Sequence, residues 1–106
     1  MTLPFTIALV TAALFFATSS SMAQAPGGPT YTAKCQMCHG ATGLADTAPG
    51  KAMGAHSFKA PEVIKMTDAE LTTTITAGKG KMPAFAGKLK DPEVAALVKY
   101  IRGLQK

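Results

Sequence analysis

The sequence lacks tryptophan altogether and contains only two cysteines and two histidines among its 106 residues. It also lacks charge near its N-terminus, because the first charged side chain is that of Lys34. Acidic residues are few, since 6 Asp and Glu stand against 11 Lys and Arg. The two cysteines are so close in sequence that a disulfide between them would constrain little of the unfolded chain. The length allows one domain with a modest core, which calls for a staple or a bound group.

The uncharged N-terminal segment has the order of a secretory signal peptide. An apolar run from Leu3 to Ala17 is followed by small residues that end in Ser21-Met22-Ala23. This order predicts a signal peptide over residues 1–23, cleavage near Ala23 and a mature domain over residues 24–106. Cleavage after Ala25 is disfavoured because Pro26 would adjoin the cut bond. An uncleaved anchor is the alternative, but the run is short for a bilayer span. We therefore expect a periplasmic protein whose mature form does not span a membrane.

The rest of the chain shows helical signals and no alternating pattern typical of strands, which predicts an all-α fold. A first helix is expected over residues 31–40, with Thr30 as its N-cap. A second begins at the capping-box spacing of Thr67 and Glu70 and stops at Gly78.

A third helix has the clearest pattern, with Asp91 as its cap, Pro92 at its first position and apolar residues at helical spacing thereafter. Long loops over residues 40–66 and 78–90 separate these three short helices. Such long irregular stretches are uncommon in a compact domain unless they wrap something. They favour a large apolar prosthetic group at the centre of the fold.

The pentapeptide Cys35-Gln36-Met37-Cys38-His39 is the C-x-x-C-H signature of covalent haem attachment. On a helix, positions i, i+3 and i+4 project from one face. Two thiols can therefore add to the two vinyl groups of one haem, which gives haem c, while the imidazole of His39 ligates its iron.

Three other interpretations of the two cysteines are weaker. A thioredoxin-like dithiol requires a βαβ pattern, which the sequence does not show. A tetrahedral zinc site requires four ligands, and only His56 remains after the motif is counted. A structural disulfide would close too small a loop to stabilise the domain.

A sixth iron ligand has several candidates, because Met53, Met66, Met82 and His56 all lie outside the leader and the motif. Met82 has the most suggestive surroundings. Pro83 favours an extended conformation for the residue before it, and glycines in the same segment allow a close approach to a ring. His56 stays open as the nitrogen alternative.

The mature chain is similar to the class I c-type cytochromes, above all the small bacterial proteins with one haem. The resemblance rests on the motif, on its continuation as C-H-G-x-x-G, on Gly27 and Tyr31 before it, on the stretch from Asp68 to Phe85, and on Leu97 and Tyr100 in the last helix. It implies a cytochrome c fold wrapped around one covalently attached haem c, with the first and last helices crossing.

The resemblance also implies roles for individual residues. His39 and Met82 would be the axial ligands, since the family places its axial methionine in a Met-Pro loop. Pro49 would accept a hydrogen bond from His39, as a proline carbonyl does in the family. Tyr31, Ile75 and Leu97 would contact or support the haem. A loop of Gly, Lys and Pro around Met82 is expected to have few apolar anchors besides the iron.

These observations predict a monomeric periplasmic electron carrier and not an enzyme, because two filled axial positions leave no open site for a substrate. Lysines 79, 81, 88 and 90 lie on both sides of Met82 and would attract a redox protein with an acidic docking surface. No nucleic-acid motif is present. A subunit of a periplasmic dehydrogenase or oxidoreductase complex is the alternative, and a peroxidase or gas sensor would need an open axial position.

Overall fold

The computed structural model describes residue 2, residues 12–15 and residues 25–106. The predicted signal peptide and its cleavage near Ala23 lie outside the described residues, apart from those few positions. The described part of the mature chain contains helices and no strand, which confirms the all-α prediction. The order is α1 Gly28–Lys34, α2 Gln36–His39, α3 Ala48–Met53, α4 Pro61–Ile64, α5 Asp68–Ala77 and α6 Asp91–Leu104.

The first helix differs from its prediction at its start and in its middle, whereas the helical stretch ends at Gly40 as predicted. It begins at Gly28 after Gly27 as N-cap, so Thr30 lies inside the helix and does not cap it. Pro29 supplies the fixed φ angle that favours this earlier start. The helix is interrupted at Cys35, whose φ of −117° and ψ of −35° separate α1 from α2.

The stretch predicted to be irregular contains two further short helices. The side chain of Thr47 caps α3 by accepting from the Gly50 amide, and Pro61 opens α4. The two helices have 6 and 4 residues, which is too short for a periodic apolar pattern to indicate them in the sequence.

The two longer helices match their predictions closely. In α5, Thr67 accepts from the Glu70 amide and the Glu70 side chain accepts from the Thr67 amide, so the capping box is present. In α6, Lys90 takes the N-cap place and Asp91 is already helical, one residue earlier than predicted. The Lys90 amide donates to Glu93 Oε1 over 3.0 Å.

The terminal helices α1 and α6 pack against each other, as predicted. Tyr31 and Leu97 are completely buried at this contact, and the rings of Tyr31 and Tyr100 lie 4.9 Å apart. Gly27 allows the close approach, because a Cβ atom there would lie 2.6 Å from the Ala96 carbonyl oxygen. The crossing therefore depends on a position without a side chain.

A second contact ties the C-terminal end of α6 to the start of α5. Arg102 Nε donates to Asp68 Oδ1 over 2.9 Å, and another guanidinium nitrogen of Arg102 donates to the Met66 carbonyl. Gln105 donates to the Phe58 carbonyl over 2.9 Å. Within the part of the chain that the structure describes, no helix is long and apolar enough to cross a membrane.

Candidate haem-attachment site

The Cys35–His39 segment forms a single helical turn that begins at the break between α1 and α2. The Cys35 carbonyl accepts from the amides of Cys38 and His39, over 3.2 and 3.0 Å. The Cys35 amide in turn donates to the Tyr31 carbonyl over 2.8 Å, so the segment continues directly from α1. The local geometry agrees with the prediction that both thiols and the imidazole project from one helical turn.

Both cysteines are unpaired thiols and both are half-buried. Burial raises the pKa of the Cys35 thiol to about 11. A dithiol of the thioredoxin type needs a lowered pKa, because the thiolate is the attacking species. The environment of Cys35 therefore does not favour thiol–disulfide exchange.

The His39 imidazole contacts the core through Phe58. Its ring stacks on the ring of Phe58, with centroids 4.6 Å apart and planes inclined by 21°. The pKa of His39 is lowered, mainly by burial of its side chain. The His56 backbone raises this pKa, but by less than burial lowers it. The imidazole is therefore neutral near pH 7, which is the form that ligates a metal. Its Nδ1 atom is buried and has no hydrogen-bond partner among the described residues.

The expected hydrogen bond from His39 to the Pro49 carbonyl is not present in the structure. Pro49 lies exposed in α3. The start of α3 is held instead by Thr47, whose hydroxyl donates to the carbonyls of Met37 and Cys38 over 2.7 and 3.2 Å. This arrangement packs Gly50 against the Cys38 carbonyl, where a Cβ atom would clash. Gly50 therefore packs directly on the backbone of the motif.

The segment around Met82 is more firmly held than predicted. The amide of Met82 donates to the Lys79 carbonyl over 2.9 Å, and the Lys79 amide donates back to the Met82 carbonyl over 3.2 Å. The amide of Phe85 donates to the Ile75 carbonyl over 3.1 Å, and the Phe85 side chain is buried. The segment therefore has backbone anchors and a buried Phe85 that the sequence did not indicate, and the iron as its main tether stays a prediction.

Met82 and Cys35 are half-buried and pack against the same core cluster. The other predicted supporting residues, Tyr31, Ile75 and Leu97, are buried members of that cluster. His56 lies exposed, with its Nδ1 atom 3.5 Å from Glu62 Oε1. Thus the Cys35 thiol, the Met82 thioether and the half-buried His39 imidazole, whose Nδ1 atom is buried without a partner, all meet one core. With the Cys38 thiol in the same helical turn, these residues fit a covalently attached haem.

Two contributors to the site were not predicted from the sequence. Phe58 stacks on His39, although a single aromatic residue in an irregular stretch carries no signal for such a role. Thr47 links α3 to the motif, and its position before Ala48-Pro49 is a capping signal that the sequence does contain.

Comparisons with known proteins agree with this geometry. Residues 23–101 match the family model described as cytochrome C oxidase, cbb3-type, subunit III. A cytochrome c6 from Leptolyngbya boryana is 32% identical over 80 residues, which cover 73% of this chain and 87% of that protein. A cytochrome c6 from Nostoc sp. (strain PCC 7120) is 29% identical over 112 aligned positions, which cover 93% of this chain and 90% of that protein. The solved structure of the KustC0563 c-type cytochrome has a TM-score of 0.69 and 33% identity, and the match covers 77% of this chain and 99% of that one.

Proposed function

We infer the function of this chain from its family: it belongs to the small class I c-type cytochromes, and it is therefore an electron-transfer protein with covalently bound haem c. We propose that it is a periplasmic carrier of single electrons whose iron is ligated by His39 and Met82. The observation that supports this most directly is that Met82 packs on the core cluster that also receives Cys35, while His39 follows in the same helical turn.

Four residues of the chain would hold the haem, and their roles differ. Haem, when bound, supplies the one-electron chemistry. Cys35 and Cys38 would anchor it through thioether bonds, and neutral His39 would hold the iron from the proximal side. Met82 would be the second protein ligand of the iron, where a thioether would raise the reduction potential relative to two histidines and would leave no place for exogenous ligands.

A visible spectrum tests this ligation in the protein matured with the haem-attachment machinery. We expect the spectrum of a low-spin c-type haem in both redox states, a methionine–iron charge-transfer band in the oxidised form, and no binding of carbon monoxide after reduction. Carbon monoxide binding to the native reduced protein would instead indicate an open axial position, and with it a sensor or peroxidase.

We also propose that lysines beside Met82 form the docking surface for an acidic redox partner. Two tight turns carry these lysines. One β-bridge joins Lys79 to Met82 around Gly80-Lys81, and another joins Ala86 to Leu89 around Gly87-Lys88. Lys81 and Lys88 are the exposed lysines of these pairs. Positive charge at both turns would steer an acidic partner and raise the association rate in a salt-dependent manner.

The double variant K81E/K88E tests this surface against K99E/K106E, which changes the net charge equally through exposed lysines in and after α6. With an acidic redox protein as partner, we expect K81E/K88E to slow electron transfer at low salt and to flatten its salt dependence. K99E/K106E should keep most of the wild-type rate. Equal losses in the two variants would attribute the effect to net charge and not to this surface.

The second candidate function is a cytochrome subunit of an oxidoreductase complex. The specific observation in its favour is that the matching family model is described as an oxidase subunit. Gel filtration of the native protein from its own cells distinguishes the two. A free carrier should elute as a monomer near the mass of residues 24–106, whereas a subunit should elute with its enzyme. N-terminal sequencing of the same material tests cleavage after Ala23.

A further inference from the structure

We propose that the hydroxyl group of Tyr31 positions the proximal ligand His39. This inference rests on the proposed function, because it takes His39 as the iron ligand. Tyr31 lies in α1, and its side chain is completely buried. Its hydroxyl donates a hydrogen bond of 2.6 Å to the carbonyl oxygen of Gly40, the residue that directly follows His39.

The hydrogen bond from Tyr31 fixes a backbone turn that directly follows His39. Gly40 has a φ of +79°, and a Cβ atom there would lie 2.5 Å from Asp46 Oδ1. The Gly40 amide donates to the Gln36 carbonyl over 2.8 Å, and the His39 carbonyl accepts from the Ala45 amide over 2.9 Å. The chain therefore turns sharply just after the ligand. The Tyr31 hydroxyl is the only side-chain donor to the Gly40 carbonyl among the described hydrogen bonds.

A second connection runs through the aromatic rings. The Tyr31 ring packs edge-on against Phe58, with centroids 6.2 Å apart and planes inclined by 61°. Phe58 in turn stacks on the imidazole of His39 at 4.6 Å. Tyr31 is thus connected to His39 in two ways. Its hydroxyl bonds to Gly40, the next residue along the backbone from His39, and its ring packs on Phe58, which stacks on the imidazole. Groups that orient a metal ligand in this way tune the metal although they do not touch it.

Tyr100 provides a matched control for the hydroxyl group. Its ring packs against Tyr31 at 4.9 Å in the same core, and it is also buried. No side-chain hydrogen bond of Tyr100 occurs among those of the described residues, whereas the Tyr31 hydroxyl has the buried carbonyl of Gly40 as its acceptor. Y31F and Y100F therefore each remove one hydroxyl from the same cluster, but only Y31F removes a bond beside the ligand.

The experiment compares wild type, Y31F and Y100F as holoproteins by proton NMR and by redox titration. In the oxidised protein, the spread of the haem-methyl resonances depends on the direction of the His39 ring plane. We expect Y31F to change this spread and to shift the midpoint potential, whereas Y100F should leave both at wild-type values. Melting temperature is not diagnostic, because a purely structural role would lower it too.

Wild-type haem-methyl resonances together with a wild-type potential in Y31F would overturn the inference. If Y31F yields no holoprotein, the reduced wild-type protein still tests it. The Tyr31 hydroxyl proton should then exchange slowly with solvent and show a nuclear Overhauser contact to the Gly43 amide, which also donates to the Gly40 carbonyl. A rapidly exchanging hydroxyl proton would overturn the inference. If the NMR spectrum of the wild-type holoprotein showed that no histidine ligates the iron, the proposed function itself would be contradicted.

Discussion

At the scale of single residues, Met82 is the proposed ligand that would distinguish a carrier from a catalyst, and its surroundings make the proposal testable. The segment around it has its own backbone bonds to Lys79 and to Ile75, through the amides of Met82 and Phe85. Removal of the thioether should therefore open an axial position without unfolding the segment.

We predict that M82A binds small exogenous ligands such as carbon monoxide or imidazole, has a lower reduction potential and keeps its thioether attachment. H56A is the matched control, since His56 is exposed and its Nδ1 atom lies 3.5 Å from Glu62 Oε1. Ligand titrations followed by visible spectroscopy measure both. Native coordination in M82A together with its loss in H56A would show that the site has two histidine ligands.

Tyr31 gives a second prediction at this scale, which concerns pH. Its pKa is raised far above the ordinary value, mainly by burial and in smaller measure by Cys35, Tyr100 and Asp46. A thioether bond at Cys35 would remove the contribution of this thiol in the holoprotein. Because the folded protein holds the phenol protonated while the unfolded chain ionises near pH 10, stability is fully present below about pH 10 and falls above it.

The slope from this one group is at most about 1.4 kcal/mol per pH unit. Denaturant unfolding of wild type and Y31F from pH 8 to 11 measures it, as the difference between two curves that share all other titrating groups. The free energies of unfolding should converge as the pH rises above about 10. Parallel curves across this range would show that Tyr31 does not titrate in this way.

At the scale of the helices, the crossing of α1 and α6 is the main structural element. It has a completely buried side chain from each helix, Tyr31 and Leu97, and a glycine at the point of closest approach.

We predict that L97A loses roughly 2–5 kcal/mol of unfolding free energy, as expected for truncation of a buried leucine. Lys99 is exposed on the same helix, so K99A should change the free energy by less than about 0.5 kcal/mol. Chemical denaturation of the two holoproteins provides the comparison. A loss in L97A no larger than that in K99A would place Leu97 outside the core.

Gly27 and Gly54 form a second matched pair. Both have positive φ angles, +83° and +69°, but only at Gly27 would a Cβ atom meet another helix. G54A should therefore cost about 1–2 kcal/mol from backbone strain alone. G27A should cost more, because the Cβ atom must push α1 away from the Ala96 carbonyl. Equal losses in thermal or chemical unfolding would mean that the helices separate without cost.

At the scale of the whole molecule, the core is small for the amount of irregular chain around it. Apart from Ala45, the described buried apolar side chains form one cluster of ten residues. A buried macrocycle would add much of the apolar area that such a small domain lacks.

We predict that haem attachment is a condition of folding. The C35S/C38S protein should show no cooperative thermal transition, whereas wild type matured with the attachment machinery should unfold cooperatively. Wild type expressed without that machinery is the control, and it should behave as the variant does. A stable, cooperatively unfolding C35S/C38S domain without haem would contradict the prediction.

The sequence by itself determined the features that depend on neighbouring residues. The C-x-x-C-H turn, the capping box of α5, the amphipathic α6 and the identity of Met82 as a candidate ligand all follow from spacing within a few positions. The pairing of α1 with α6 required the family resemblance as well, because Gly27 and Leu97 are far apart along the chain.

Only the tertiary structure decided the contacts that join distant segments through irregular chain. The stacking of Phe58 on His39, the packing of Gly50 on the Cys38 carbonyl, and the bond from Tyr31 to Gly40 have no periodic or local signal. The loop from Gly40 to Met66 can follow many paths that satisfy its own residues. Packing against the motif and α6 selects one path, and such packing is a property of the whole fold and not of any short segment.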